Sequence, residues 1–172
     1  NFSVDVSSSN TLSVRLNAGL VALGNVQGGN FVFSIPEDIT VTPNSNKIAN
    51  FNDILIYEGT YLTKSFQVNA SQTNQRFILP NSNIDTSSIR VQVKEDGSDL
   101  PYTAYANIFD VDSESRLFLV QEIEDEKYQI LFGDGIIGKK PSDKAEITVS
   151  YIVTNGENGN GAANFNFSGT LI

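Results

Sequence analysis

The 172-residue sequence has no cysteine, no histidine, no methionine and no tryptophan. Without cysteine, neither a disulfide framework nor a thiolate metal site can form. Without histidine, the commonest metal ligand and general base is gone, and with it every Ser-His-Asp or Cys-His arrangement. Basic residues are scarce: 11 Lys and Arg stand against 20 Asp and Glu, giving a net charge of −9 and a pI near 4.3. That balance opposes binding to nucleic acid or to an anionic membrane surface, and no basic stripe offsets it. No apolar run approaches the roughly 20 residues that a membrane-spanning helix needs. With no methionine and a start at Asn1, the sequence reads as a piece of a longer polypeptide. A chain of this length buries about 70% of its unfolded surface, enough for a core in one domain or two small ones.

The sequence is rich in alternation. Leu12, Val14 and Leu16 alternate with Ser13 and Arg15; Phe31, Phe33 and Ile35 with Val32 and Ser34; Ile89, Val91 and Val93 with Arg90 and Gln92. A period of two places one apolar face on each strand. Between the runs lie Gly28-Gly29-Asn30, Pro43-Asn44-Ser45-Asn46, Pro80-Asn81-Ser82-Asn83 and Asp96-Gly97-Ser98, all turn chemistry. The expected fold is all-β, with sandwich-like antiparallel layers, long loops and at most short helical turns. Ile84 to Ile89 is the best place for one such turn, with Asp85 as its cap. Three segments are expected: a β-rich subdomain over 1–64, a second over 65–155, and a Gly/Asn-rich linker opening the next segment over 156–172.

One run invites a ligand. Phe132-Gly133-Asp134-Gly135-Ile136-Ile137-Gly138-Lys139-Lys140-Pro141 spells G-x-G-x-x-G, the pattern of a dinucleotide loop. In that role the glycines come after a strand and open a helix whose amides bind pyrophosphate. Tyr128, Ile130 and Phe132 do alternate as a preceding strand. On the C-terminal side, however, Ala145 to Val153 is a second alternating run rich in β-branched residues, not a helix. Strand, glycine loop, strand is a hairpin-like connection. Gly133, Gly135 and Gly138 are then there for backbone geometry, with the Asp134 side chain stabilising the turn.

Other candidates are weaker. Asp110-Val111-Asp112-Ser113-Glu114 resembles the start of a calcium loop, but Ser115 and Gln121 stand where an EF-hand needs glycine and glutamate. Glu122-Ile123-Glu124-Asp125-Glu126-Lys127 clusters four carboxylates between two alternating runs, the place of a solvated hairpin tip. Acid-base work would require one of them in an apolar pocket, and nothing apolar flanks them. Tyr57, Tyr61, Tyr102 and Tyr105 lie near strand ends or loops; exposed, they would suit a protein interface at least as well as a sugar.

Three stretches occur together in a telling order. Asp53 to Gly59 (DILIYEG) precedes Asn83 to Val91 (NIDTSSIRV), and both precede Tyr128 to Gly138 (YQILFGDGIIG) with Val149-Ser150-Tyr151 after it. In that order and spacing they resemble the baseplate wedge proteins of T4-like contractile-tailed phages, ring-forming members of the baseplate J-like family. The similarity covers about residues 53 to 161, and Leu16 to Ile39 is similar to the preceding β-rich part. The motif Phe132, Gly133, Asp134, Gly135, Gly138 and Lys139 is its most specific element. The resemblance implies a structural virion protein located in the tail baseplate. It would assemble with other wedge proteins and with itself as a dimer, and rearrange when the sheath contracts. It also implies no catalytic residues, cofactor, metal, membrane or nucleic acid partner, or small-molecule substrate. The alternative from the residues themselves is a β-sandwich adhesion or carbohydrate-binding module of a bacterial surface protein. An enzyme would need a carboxylate pair in a deep pocket.

Overall fold

Fifteen strands succeed one another along the described residues, 1–26, 28–105 and 111–172 of the computed structural model. In chain order they are β1 (Phe2–Asp5), β2 (Val14–Leu16), β3 (Gly19–Val26), β4 (Gly29–Ile35), β5 (Ile39–Val41), β6 (Ile48–Phe51), β7 (Tyr57–Glu58), β8 (Thr60–Gln67), β9 (Phe77–Ile78), β10 (Ile84–Glu95), β11 (Ser98–Ala104), β12 (Leu117–Ile123), β13 (Lys127–Phe132), β14 (Glu146–Val153) and β15 (Asn164–Phe167). Two short 3-10 turns, Glu124–Glu126 and Gly156–Gly159, are the only helical geometry among the described residues. The fold is all-β, as the alternation requires. Two compact units divide it, Asn1–Tyr61 with Thr154–Ile172, and Leu62–Val153.

In the first unit, the antiparallel sheet β15-β3-β4-β7 is joined by two ribbons, β1-β6 and β2-β5. The ribbons supply Val14, Leu16, Ala49 and Phe51 to a core that the sheet completes with Val21, Phe33 and Ile35. Phe2 stacks on Phe51 with ring centroids 4.7 Å apart. Fully burying each of these large apolar side chains contributes about 1.5–3 kcal/mol relative to exposure. The C-terminal residues return to this unit: β15 pairs with β3, and Arg15 and Ile172 exchange backbone hydrogen bonds of 2.8 and 2.9 Å.

The second unit is one seven-stranded sheet in the order β8-β14-β10-β11-β12-β13-β9. Its pairings include a departure from the expected antiparallel pattern: β11 and β12 run parallel at Thr103 and Ala104. Asp96 and Gly97, both at positive φ, close the tight β10-β11 hairpin. Glu124 to Glu126 form the β12-β13 tip, with all three side chains exposed. Phe66 of β8 meets Phe77 of β9 at 5.6 Å, and Phe77 meets Phe132 at 5.6 Å, so the two edges of the sheet share one aromatic cluster. Tyr128, Ile130 and Phe132 all face that core, as their spacing predicts.

The structure corrects two further expectations. The run from Phe132 to Pro141 is not a hairpin connection, because β13 pairs with β12 and β9, whereas β14 pairs with β10 and β8. With both edges of each strand occupied, the two cannot pair with each other, and the loop is a crossover. Nor do Ile84 to Ile89 form a helical turn; they open β10 and contain a bulge. Asp85 does make the local bonds of a cap, its Oδ1 accepting from the Ser87 amide (3.0 Å) and hydroxyl (2.7 Å), but within a strand.

Candidate functional site

The glycine run folds into a closed ring after β13. Asp134 Oδ1 accepts hydrogen bonds from the amides of Ile136 (2.8 Å) and Ile137 (2.9 Å). The Ile137 and Ile136 amides together hold the Asp134 carboxyl below its usual range. The Gly135 amide donates to Gly138 O at 3.0 Å, the Gly138 amide to Asp112 O at 2.9 Å, and the Lys139 amide to Ser115 O at 2.7 Å. Every amide from residue 135 to 139 is therefore engaged within the protein. A phosphate cradle needs those amides free and a helix behind them. Here the next element is a strand, β14, and the loop presents no such cradle.

Lys139 is equally committed. Its Nζ lies 3.5 Å from Glu95 Oε2, on a carboxylate side chain only 7% exposed. Burial pushes the Glu95 carboxyl up, but the Ser142 amide at 2.7 Å and the Lys139 charge together outweigh it, and the net shift is downward. The loop is thus tied to the end of β10 as well as to the 112–115 turn.

That turn is what the calcium-like stretch becomes. Asp110 lies outside the described residues. Asp112 Oδ1 accepts from the Ser115 hydroxyl (2.7 Å) and the Glu114 amide (3.0 Å), and these bonds lower its pKa in that order. The carboxylate closes its own turn, which in turn supplies the carbonyls that dock Gly138 and Lys139.

The outward face of the loop is apolar. Ile136 is 77% exposed and Ile137 55%. Ile137, Leu117, Leu119, Leu131 and Tyr105 line an open groove of about 250 Å³ together with Phe132, Gly133 and Gly138. The structure thus brings Tyr105 together with the motif residues Phe132, Gly133 and Gly138, and Asp134 joins them through its bond to the Ile137 amide. The two isoleucines escaped the sequence reading; the available signal was an apolar pair between turn glycines, outside any alternating run.

The other tyrosines scatter. Tyr57 and Tyr61 are half-buried in the first unit, where Tyr61 covers Gly19. Tyr102 is not a surface residue. It is 4% exposed, with its ring edge-on to Phe132 at 5.4 Å, because its position on β11 faces the core. Its hydroxyl has no hydrogen-bond partner among the described residues, and burial pushes its pKa up to about 12. Tyr102→Phe is therefore expected to raise stability by about 1 kcal/mol, since it removes an unmet polar group and keeps the ring. Urea denaturation measures this; a lower midpoint would mean that the hydroxyl is hydrogen-bonded after all.

No family model matches the chain. It is 28% identical over 109 residues to the baseplate wedge protein gp6 of Enterobacteria phage T4. The likeness is to a phage baseplate protein. The match takes in 55% of this chain but only 16% of the length of that relative, so it concerns a small part of the wedge protein.

Proposed function

We propose that this chain is a structural part of a phage tail baseplate wedge, which works by holding protein neighbours and transforms no substrate. The observation that carries the reading is the similarity over 109 residues to a baseplate wedge protein. The geometry supports it: the loop from Phe132 to Pro141 is braced from inside by its own hydrogen bonds and turns Ile136 and Ile137 outward, as a contact surface requires. Tyr105 and the groove beside Ile137 extend that surface. Self-pairing into a ring, and a change of contacts when the sheath contracts, belong to the same proposal. The acidic charge of −9 keeps subunits apart until specific contacts form, through self-repulsion.

The test is the protein composition of baseplates released from purified tails. Peptides of this chain are expected at a fixed stoichiometry with the wedge components. Their absence from baseplates, or their presence only in host envelope fractions, would overturn the reading. Light scattering of the chain alone then decides self-pairing, and a strict monomer would remove that part.

A further inference from the structure

All three Asn-Gly steps of the chain fall within seven residues: Asn155-Gly156, Asn158-Gly159 and Asn160-Gly161. Asn-Gly is the sequence most prone to lose its side-chain amide, because glycine places no side chain in the way of its own attacking nitrogen. The structure treats the three steps differently. Asn160 and Gly161 are both exposed, and a Cβ on Gly161 would meet nothing within 4 Å. Gly159 is buried against Glu58, and Asn158 Nδ2 donates to Asn155 O at 3.0 Å. Asn155 is clamped: Glu58 accepts from its Nδ2 at 2.7 Å and from its backbone amide at 2.9 Å.

We propose that the 155–161 segment is a spontaneous modification site in which Asn160 reacts and Asn155 is shielded by Glu58. In the reaction the Gly161 amide nitrogen attacks Asn160 Cγ and the N–Cγ bond forms. The Cγ–Nδ2 bond breaks, and ammonia leaves with the proton that the attacking amide gives up. Water then opens the resulting cyclic imide at either carbonyl, giving aspartate or isoaspartate. No electrons change hands, and water is the only co-reactant.

At Asn155 the same path is obstructed twice. Nδ2 must first leave the Glu58 carboxylate. The oxyanion that develops on Cγ would then lie beside that carboxylate, a like-charge pair that raises the barrier. The consequences differ as well. Asp at 160 adds a charge to a stretch, residues 158–172, that otherwise carries no charged side chain. Asp at 155 would set a second carboxylate against Glu58 and release the segment from β7.

The experiment ages the full chain at mildly alkaline pH and follows each asparagine by peptide mapping and isoaspartate detection. Asn160 is expected to convert at least about tenfold faster than Asn155, the effect of one charge-assisted hydrogen bond on the released population. In concentrated urea the two rates should converge, since only folding distinguishes them. Glu58→Ala should bring Asn155 toward the Asn160 rate in folded protein, with Glu58→Gln intermediate, and Gly161→Ala should slow Asn160. Equal rates in the native chain would overturn the proposal. So would a difference that survives urea, or an Asn160 no faster than Asn166, which precedes phenylalanine. If Glu58→Ala does not fold, the native and urea arms decide the question between them.

Discussion

Gly133→Ala is expected to destabilise the second unit by about 3 kcal/mol. A Cβ at this position would stand 2.1 Å from Gly138 O, 2.2 Å from Gly138 C and 2.6 Å from Gly138 Cα. All three atoms are backbone, so no side chain can swing aside. Relief requires the crossing of the two glycines to open, and that crossing holds three hydrogen bonds: Gly135 to Gly138, Gly138 to Asp112, and Lys139 to Ser115. At about 1 kcal/mol for each, their loss sets the magnitude. Gly135→Ala makes the contrast. Its φ is +89° and the nearest atom to an added Cβ is Lys140 Cβ at 3.9 Å, so the cost there is conformational only, about 1–2 kcal/mol. Urea titration of both variants orders them. A Gly135→Ala loss equal to or above that of Gly133→Ala would mean that conformation, and not close approach, governs the loop.

The contrast between the two glycines also marks how far the sequence was readable. Gly135 and Gly138 do stand at positive φ and Asp134 does bond back to its own turn, although the flanking strands pointed to a hairpin that does not form. That Gly133 is needed for close approach was not legible, because the atom it touches belongs to a residue the loop returns to. The alternation of Tyr128, Ile130 and Phe132 was legible, since a strand's period is local. Strand order was not. Whether β13 and β14 pair depends on what occupies their edges; β12 is a local choice, but β8, β9 and β10 are distant ones. Ile84 to Ile89 misled for a different reason. Asp-Thr-Ser-Ser offers the same side-chain acceptors to the first turn of a helix and to a bulged strand, and only the partner strand decides. Tyr102 was read as lying near a strand end or loop, whereas it sits within β11, beside Pro101, at a core-facing position.

The same bulge underlies the second large effect: Ser88→Ala is expected to cost about 2 kcal/mol. Between the pairs Asp85↔Ile152 and Arg90↔Ser150, β10 advances from 85 to 90, five residues, while β14 moves from 152 to 150, two residues. The surplus places the irregularity of the ladder beside Ile152, and Ser88 lies within it. The Ile152 amide donates to Ser88 Oγ at 2.9 Å, and that hydroxyl donates onward to Asp85 O at 2.6 Å. Ser88 and Ile152 are both fully buried, so water does not compete for these groups. Alanine fits the space but leaves the Ile152 amide unmet, at a cost of about 1–3 kcal/mol for a buried donor. Ser88→Thr keeps the hydroxyl and should lose less. Two measurements check this: the denaturation midpoint, and hydrogen exchange at the Ile152 amide, whose protection should fall in Ser88→Ala well beyond that of its neighbours. Undiminished protection there would mean that the strands close up and form a direct bond. The bulge would then be held by the rest of Asn83 to Val91 and not by this hydroxyl.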